Sequence, residues 1–137
     1  MTRYLLATRN AKKLAELRRI LNGLDVDIVG LDDVPSYVEV PETGLTFADN
    51  ALLKAREGVK HTGLPTIADD SGIAVDALGG MPGVFSARWS GTTGGTGLAR
   101  ADRDRANVRL LLEQVADVGP EHRSAAFVCA ADRKSVV

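Results

Sequence analysis

Cysteine is almost absent: among 137 residues only Cys129 carries a thiol. One cysteine excludes an internal disulfide. Its place in the apolar run Ala125-Ala126-Phe127-Val128-Cys129-Ala130-Ala131 predicts a buried thiol in a strand, not a nucleophile. Long apolar runs are missing too, and no stretch reaches the length that spans a bilayer, so no membrane partner is expected. The short apolar run at the N-terminus gives way at once to Arg9-Asn10, which fits a strand better than a signal peptide, and the expected location is the cytoplasm. An excess of charge of either sign is also missing. Seventeen Lys and Arg face eighteen Asp and Glu, for a formal net charge of -1. That balance gives no basic footprint, and no nucleic-acid partner is expected. The densest basic cluster, Arg100, Arg103 and Arg105, is interleaved with Asp102 and Asp104 and reads as a solvated mixed face. His61 and His122 have no metal-ligand spacing and read as structural or solvent-exposed. No internal repeat or second domain is evident, so residues 1–137 are expected to form a single domain with its own core.

What is present alternates between strand and helix signals. Residues 4–7 read as a buried strand, and residues 12–24 as a helix with Leu14, Leu17, Leu21 and Leu24 on one stripe and a stop at Asn22-Gly23. Residues 27–31 are a second strand. Residues 32–44, with two prolines and several carboxylates, read as a loop with a short strand near Val38. Thr46-Phe47-Ala48-Asp49 resembles a capping box and opens a helix that runs to Gly63. Residues 65–68 are a strand, interrupted by Asp69-Asp70-Ser71-Gly72 and continued by residues 73–78. Residues 91–97 form a Gly/Thr loop, residues 104–115 a helix and residues 125–131 a last strand. This order indicates the α/β class.

Four segments carry chemistry. Thr8-Arg9-Asn10-Ala11-Lys12-Lys13 lies where a strand gives way to a helix, and unpaired N–H groups at a helix start bind anions. Lys12 and Lys13 in a first helical turn oppose the helix dipole, a conflict that a bound polyphosphate removes. Equally, Asn10 can simply cap the helix while both lysines remain in solvent. The segment lacks the glycines of a Walker loop. Asp69-Asp70-Ser71-Gly72 places two carboxylates side by side, which is costly unless solvent or a cation compensates them. Neighbours on a strand point to opposite faces, so the pair converges only if the strand breaks, and Ser71-Gly72 permits a break. A magnesium site of one or two carboxylates plus phosphate oxygens fits, and so does an exposed acidic turn. Glu42 lies on a loop and can add a carboxylate, while Asn50 and Lys54, four apart, share a helical face. In the segment Gly79 to Gly91, Arg88 can meet a phosphate or a carboxylate, and Trp89 is expected to pack, not to stack on a base.

In combination these segments are far more specific. Leu6 to Lys13, Glu42 to Ala51, Lys54-Ala55-Arg56, Ala68 to Gly72 and Gly79 to Gly91 resemble, in order, the motifs of the inosine/xanthosine triphosphate pyrophosphatase family. The resemblance covers the chain to about Ala131. It implies a mixed central sheet flanked by helices. It also implies magnesium-dependent hydrolysis of inosine, deoxyinosine and xanthosine triphosphates to the monophosphate and pyrophosphate, by a cytoplasmic homodimer. By position, Thr8, Arg9, Asn10, Ala11, Lys12 and Lys13 would hold the triphosphate. Asp70 would accept the proton from water and touch the metal, and Asp69 would support the same acidic centre. Glu42 would be a further metal ligand, and Lys54 and Ser71 would contact substrate. The family's later Gly-Phe-Gly-Tyr-Asp and Ser-His-Arg segments, which contribute its purine pocket, have no counterpart here. The chain is therefore expected to lack the C-terminal part of the family fold, and residues 92–100 are longer and richer in glycine than the family pattern. The alternative reading is a truncated, weakly active or inactive paralogue that binds nucleotides or a partner.

Overall fold

The computed structural model describes residues 1–91 and 99–135. They fall into two compact units, Met1–Asp70 together with the chain from Ala130 onward, and Ser71–Cys129.

The first unit is built on three parallel strands in the order β2-β1-β3. β1 (Thr2–Leu6) pairs with β2 (Val26–Val29), Tyr4 standing opposite Ile28, and with β3 (Thr66–Val75), Leu5 standing opposite Thr66. Parallel neighbours need crossover connections. α1 (Ala11–Ile20) provides the one from β1 to β2, and α2 (Phe47–Thr62) lies on the one from β2 to β3. The expected helix ends are local chemistry. The Thr46 hydroxyl accepts from the Asp49 N–H at 3.1 Å, and Gly63 closes α2 at φ 69°, a backbone that favours glycine. The buried stripe of α2 is Asn50, Ala51, Ala55 and Gly58. These small side chains let the helix approach the fully buried Leu5, Thr66 and Ala68 closely.

Three expectations are corrected here. α1 ends at Ile20, four residues early, with Leu21 as its cap and Gly23 turning the chain at φ 94°. No strand forms near Val38: residues 34–46 are irregular, and Val38 is 87% exposed, with no core to bury it. Most important, β3 does not break at Asp69-Asp70-Ser71-Gly72. It runs ten residues through that segment, because pairing with neighbouring strands outweighs the local preference of Ser71-Gly72 for a turn.

In the second unit the end of β3 pairs antiparallel with the two-residue β4 (Met81–Pro82), Val75 opposite Met81. A 3-10 segment, Gly83–Arg88, follows, and α3 (Arg100–Gln114) packs on it. The buried Asn107 of α3 accepts from both Ser90 N–H and Ser90 Oγ at 2.7 Å and donates to Ala87 O at 3.0 Å. Trp89 Nε1 donates to Gln114 Oε1 at 2.7 Å, so its indole is tied to α3, and Arg88 lies over the Phe85 ring. Of the expected loop at residues 91–97 and the glycine-rich departure at residues 92–100, residues 92–98 lie outside the described residues, and Arg100 opens α3.

β5 (Ala125–Lys134) pairs with β3. Its first five residues are exposed, Phe127 by 87%, and Cys129 with them. The buried thiol expected from the apolar run is thus corrected. Apolar composition gives burial only where another layer covers the strand, and none covers this stretch among the described residues. No described helix is long and apolar enough to cross a membrane.

Candidate functional site

The strand order β2-β1-β3 creates a switch point. The chain leaves β1 toward a neighbour on one side and returns from α2 to a neighbour on the other. In open α/β sheets, ligands bind beyond the carboxyl ends of strands at such a point. Thr8 to Lys13 follow β1 there, and Asp69 and Asp70 lie on the adjacent β3.

The loop after β1 is organised by two side chains. Thr8 Oγ1 accepts from the Asn10 N–H at 3.1 Å. Asn10 Oδ1 accepts from the N–H groups of Lys12 and Lys13 at 3.0 and 3.4 Å, so Asn10 caps α1. Ala11 and Lys12 are exposed at the start of the helix. Lys13 does not extend into solvent: its Nζ lies 2.7 Å from Asp69 Oδ2. Arg9 turns to the following loops, with Nε 2.7 Å from Glu39 Oε1 and a terminal nitrogen 3.2 Å from Asp32 Oδ1.

Because β3 is unbroken, its side chains alternate, and the two aspartates are divided between the two faces of the sheet. Asp69 shares the α1 face with Ile67, Lys13 and Leu17. Asp70 faces α2. Its Oδ2 accepts from Asn50 Nδ2 at 3.1 Å, and its Oδ1 is 3.9 Å from Lys54 Nζ. Lys54 also reaches Glu42 Oε1 at 3.1 Å. The structure therefore brings Asp70, Glu42 and Lys54 together, and it brings Asp69 and Lys13 together. It does not join Asp69 to the acidic centre around Asp70. Ser71, next along β3, is exposed and belongs to the second unit.

A sequence model of the Ham1 family matches residues 4–134. The chain belongs to the Ham1 family. It is 62% identical over 133 residues to a dITP/XTP pyrophosphatase of Nocardia farcinica, an alignment that covers 95% of this chain and 61% of that protein. A crystal structure of a dITP/XTP pyrophosphatase from Mycobacterium abscessus matches with a TM-score of 0.79 at 57% identity, over 98% of this chain and 66% of that one. The structure of a HAM1 protein from Coxiella burnetii matches with a TM-score of 0.84 at 36% identity, over 99% and 64%. The chain thus spans about three fifths of the length of the curated Ham1 relatives it matches. The mixed sheet with flanking helices is the fold these structures share with it.

Within this Ham1 chain the least exposed acid is Asp70, at 8%. Burial raises its proton affinity above the ordinary carboxylate value. The Asn50 hydrogen bond lowers it, the Glu42 charge raises it and Lys54 lowers it. Asn50, which the sequence placed on one helical face with Lys54 but gave no role, is its keystone. Fully buried, it donates to Asp70 while its Oδ1 accepts from the Gly44 N–H at 2.7 Å, tying the Glu42 loop to α2 and β3. A polar residue beside Ala51 on the helix's buried stripe was the available signal. Asn50→Ala leaves a buried carboxylate and a backbone N–H without this partner. The expected cost is about 2–3 kcal/mol in a urea titration, and an unchanged midpoint would sink the keystone role.

Proposed function

We propose that this chain hydrolyses deaminated purine nucleoside triphosphates, those of inosine, deoxyinosine and xanthosine, to the monophosphate and pyrophosphate. One observation carries the reading: a buried carboxylate of raised proton affinity, Asp70, set against Glu42 and Lys54 beside a capped strand-to-helix loop at the sheet's switch point. The Ham1 relatives named dITP/XTP pyrophosphatase support the substrate class.

In this reading, water attacks the α-phosphorus and gives its proton to Asp70. The bond from that phosphorus to the bridging oxygen breaks, and pyrophosphate leaves with the electron pair. Asp70 suits the role because a proton acceptor works best when its affinity is raised toward the working pH. Lys54, four residues after Asn50 on α2, brings positive charge to the centre and places it where phosphate charge develops. Lys12 and Lys13 take the outer phosphates at the start of α1, with Thr8, Asn10 and Ala11 shaping that loop, and Asp69 holds the Lys13 ammonium from the α1 face. Ser71 adds a substrate contact by its position in the family motif.

Glu42 and Asp70 fit magnesium. They are hard oxygen donors joined by a hydrogen bond that raises Asp70's proton affinity, and magnesium takes one or two protein carboxylates plus phosphate oxygens. When bound, the ion would neutralise phosphate charge and polarise the attacked phosphorus. A cytoplasmic homodimer belongs to the same proposal, and the family resemblance of the motifs supports it.

The test is pyrophosphate release with magnesium from inosine, xanthosine, adenosine and guanosine triphosphates. Turnover of the first two at about tenfold or more over the last two is expected, a pocket's usual reach for a small change in ligand groups. Equal turnover of all four, or binding without turnover, would overturn the proposal.

A further inference from the structure

The guanidinium of Arg9 is in the triphosphate loop by sequence, yet it is held elsewhere. It bridges Glu39 at 2.7 Å and Asp32 at 3.2 Å, residues 30 and 23 positions away. Asp32 lies in the turn after β2 and Glu39 in the irregular segment that carries Glu42 three residues later. Tyr37 of that segment stacks on His61 of α2, ring centres 4.6 Å apart and planes 7° from parallel, and His61 lies 3.1 Å from Glu57. Ahead of Glu42 the segment is thus fastened at two points, one aromatic and one ionic, besides the contacts of Glu42 with Lys54 and of Gly44 with Asn50. The ionic one contains a residue of the substrate loop.

We propose that Arg9 is a clasp that exchanges partners. It pins the Glu42-bearing segment through Asp32 and Glu39, and a polyphosphate arriving at the loop takes the guanidinium from them. Deepening the proposed function, this rests on a polyphosphate binding at residues 8–13. The chemistry favours exchange. All three side chains are about half exposed or more, with Arg9 at 56%, Glu39 at 49% and Asp32 at 83%, and exposed ion pairs hold weakly. A triphosphate offers a denser negative charge and accepts two parallel N–H groups from one guanidinium. While clasped, Arg9 is withheld from the ligand. Arg9 and its carboxylates therefore set the affinity for the triphosphate chain, independently of the base.

The experiment measures inorganic tripolyphosphate binding by calorimetry, alongside KM for inosine triphosphate. The parent chain, Asp32→Asn/Glu39→Gln, Arg9→Ala and the triple variant are compared at low and at 0.5 M salt. The carboxylate variant is expected to bind tripolyphosphate about fivefold more tightly at low salt, with the gain shrinking at high salt. Arg9→Ala is expected to bind about tenfold more weakly. In the Arg9→Ala background, removing the carboxylates should change affinity less than twofold, because the clasp no longer exists. Unchanged or weaker binding by Asp32→Asn/Glu39→Gln overturns the clasp, and so does a gain that persists without Arg9. Glu39→Gln alone, at the shorter contact, should give part of the gain, which guards against misfolding of the double variant. Tripolyphosphate binding that follows this pattern without nucleotide turnover would retain the clasp and reject the hydrolase reading. Absence of binding in the parent rejects both.

Discussion

Asp70→Asn is expected to lower kcat for inosine triphosphate by at least about 10^3-fold, because in the proposed reaction the change removes the proton acceptor and one oxygen offered to the metal together. The substitution keeps the shape of the side chain and can still accept from Asn50 Nδ2, so circular dichroism should be unchanged. Activity within tenfold of the parent would remove Asp70 from the chemistry. The same variant should gain stability where it loses activity. Burial is the largest cause of Asp70's raised proton affinity, ahead of the opposing Asn50 hydrogen bond and the Glu42 charge. The folded chain therefore holds this proton more tightly than the unfolded chain does. By linkage, stability falls as pH rises from the ordinary carboxylate range to the raised folded value, and the penalty is fully present above it. With chelator present, Asp70→Asn should be more stable relative to the parent at pH 8 than at pH 3. Magnesium should reverse that difference, since ligation requires the ionised carboxylate. A centre that is costly to ionise without its ligands is the form that functional carboxylates commonly take.

The features of this site that could be read from the chain are the ones with local causes. Asn10 caps α1 through hydrogen bonds two and three residues ahead, and Thr46 and Gly63 bound α2 by similarly short-range chemistry. The division of Asp69 from Asp70 was not legible. Ser71-Gly72 reads as a break when only its neighbours in sequence are considered, but the segment is held as strand by pairing with distant chain. Once the strand is continuous, alternation alone sends one carboxylate to Lys13 and the other to Asn50 and Lys54. Arg9 is the complementary case. Its contacts with Asp32 and Glu39 were not legible, since those residues lie on loops whose course depends on β2 and α2. Cys129 shows the limit of composition, since its apolar neighbours mark a strand but do not supply a layer to cover it.

Gly58→Val should destabilise the first unit strongly. Gly58 lies hard against the sheet. A Cβ there would meet Thr66 Cγ2 at 2.5 Å, Thr66 Oγ1 at 2.7 Å and Leu5 Cδ2 at 3.1 Å. Neither neighbour can yield easily. Thr66 and Leu5 are fully buried, and Thr66 Oγ1 donates to Leu64 O at 2.9 Å, which fixes its rotamer. Alanine in place of glycine would favour an isolated helix by about 1 kcal/mol, so the sign of Gly58→Ala weighs that gain against the clash. Overpacking a close-packed contact costs about 1–3 kcal/mol, and contacts near 2.5 Å to a fixed side chain belong at the upper end. Gly58→Ala is therefore expected to destabilise by about 1–2 kcal/mol. Gly58→Val, with two further methyl groups, should destabilise by about 3 kcal/mol or more, a fall in Tm of roughly 10 °C. Thr66→Ala in the Gly58→Ala background should recover part of the loss, because it removes both crowded atoms. A Gly58→Ala chain as stable as the parent would show that α2 can retreat from the sheet without penalty. The site depends on that approach. Asn50 and Lys54 lie two and one helical turns before Gly58 on the same helix, so a displaced α2 would loosen their hold on Asp70. Activity of Gly58→Ala should accordingly fall even at temperatures where it remains folded, with the loss in kcat exceeding any change in KM.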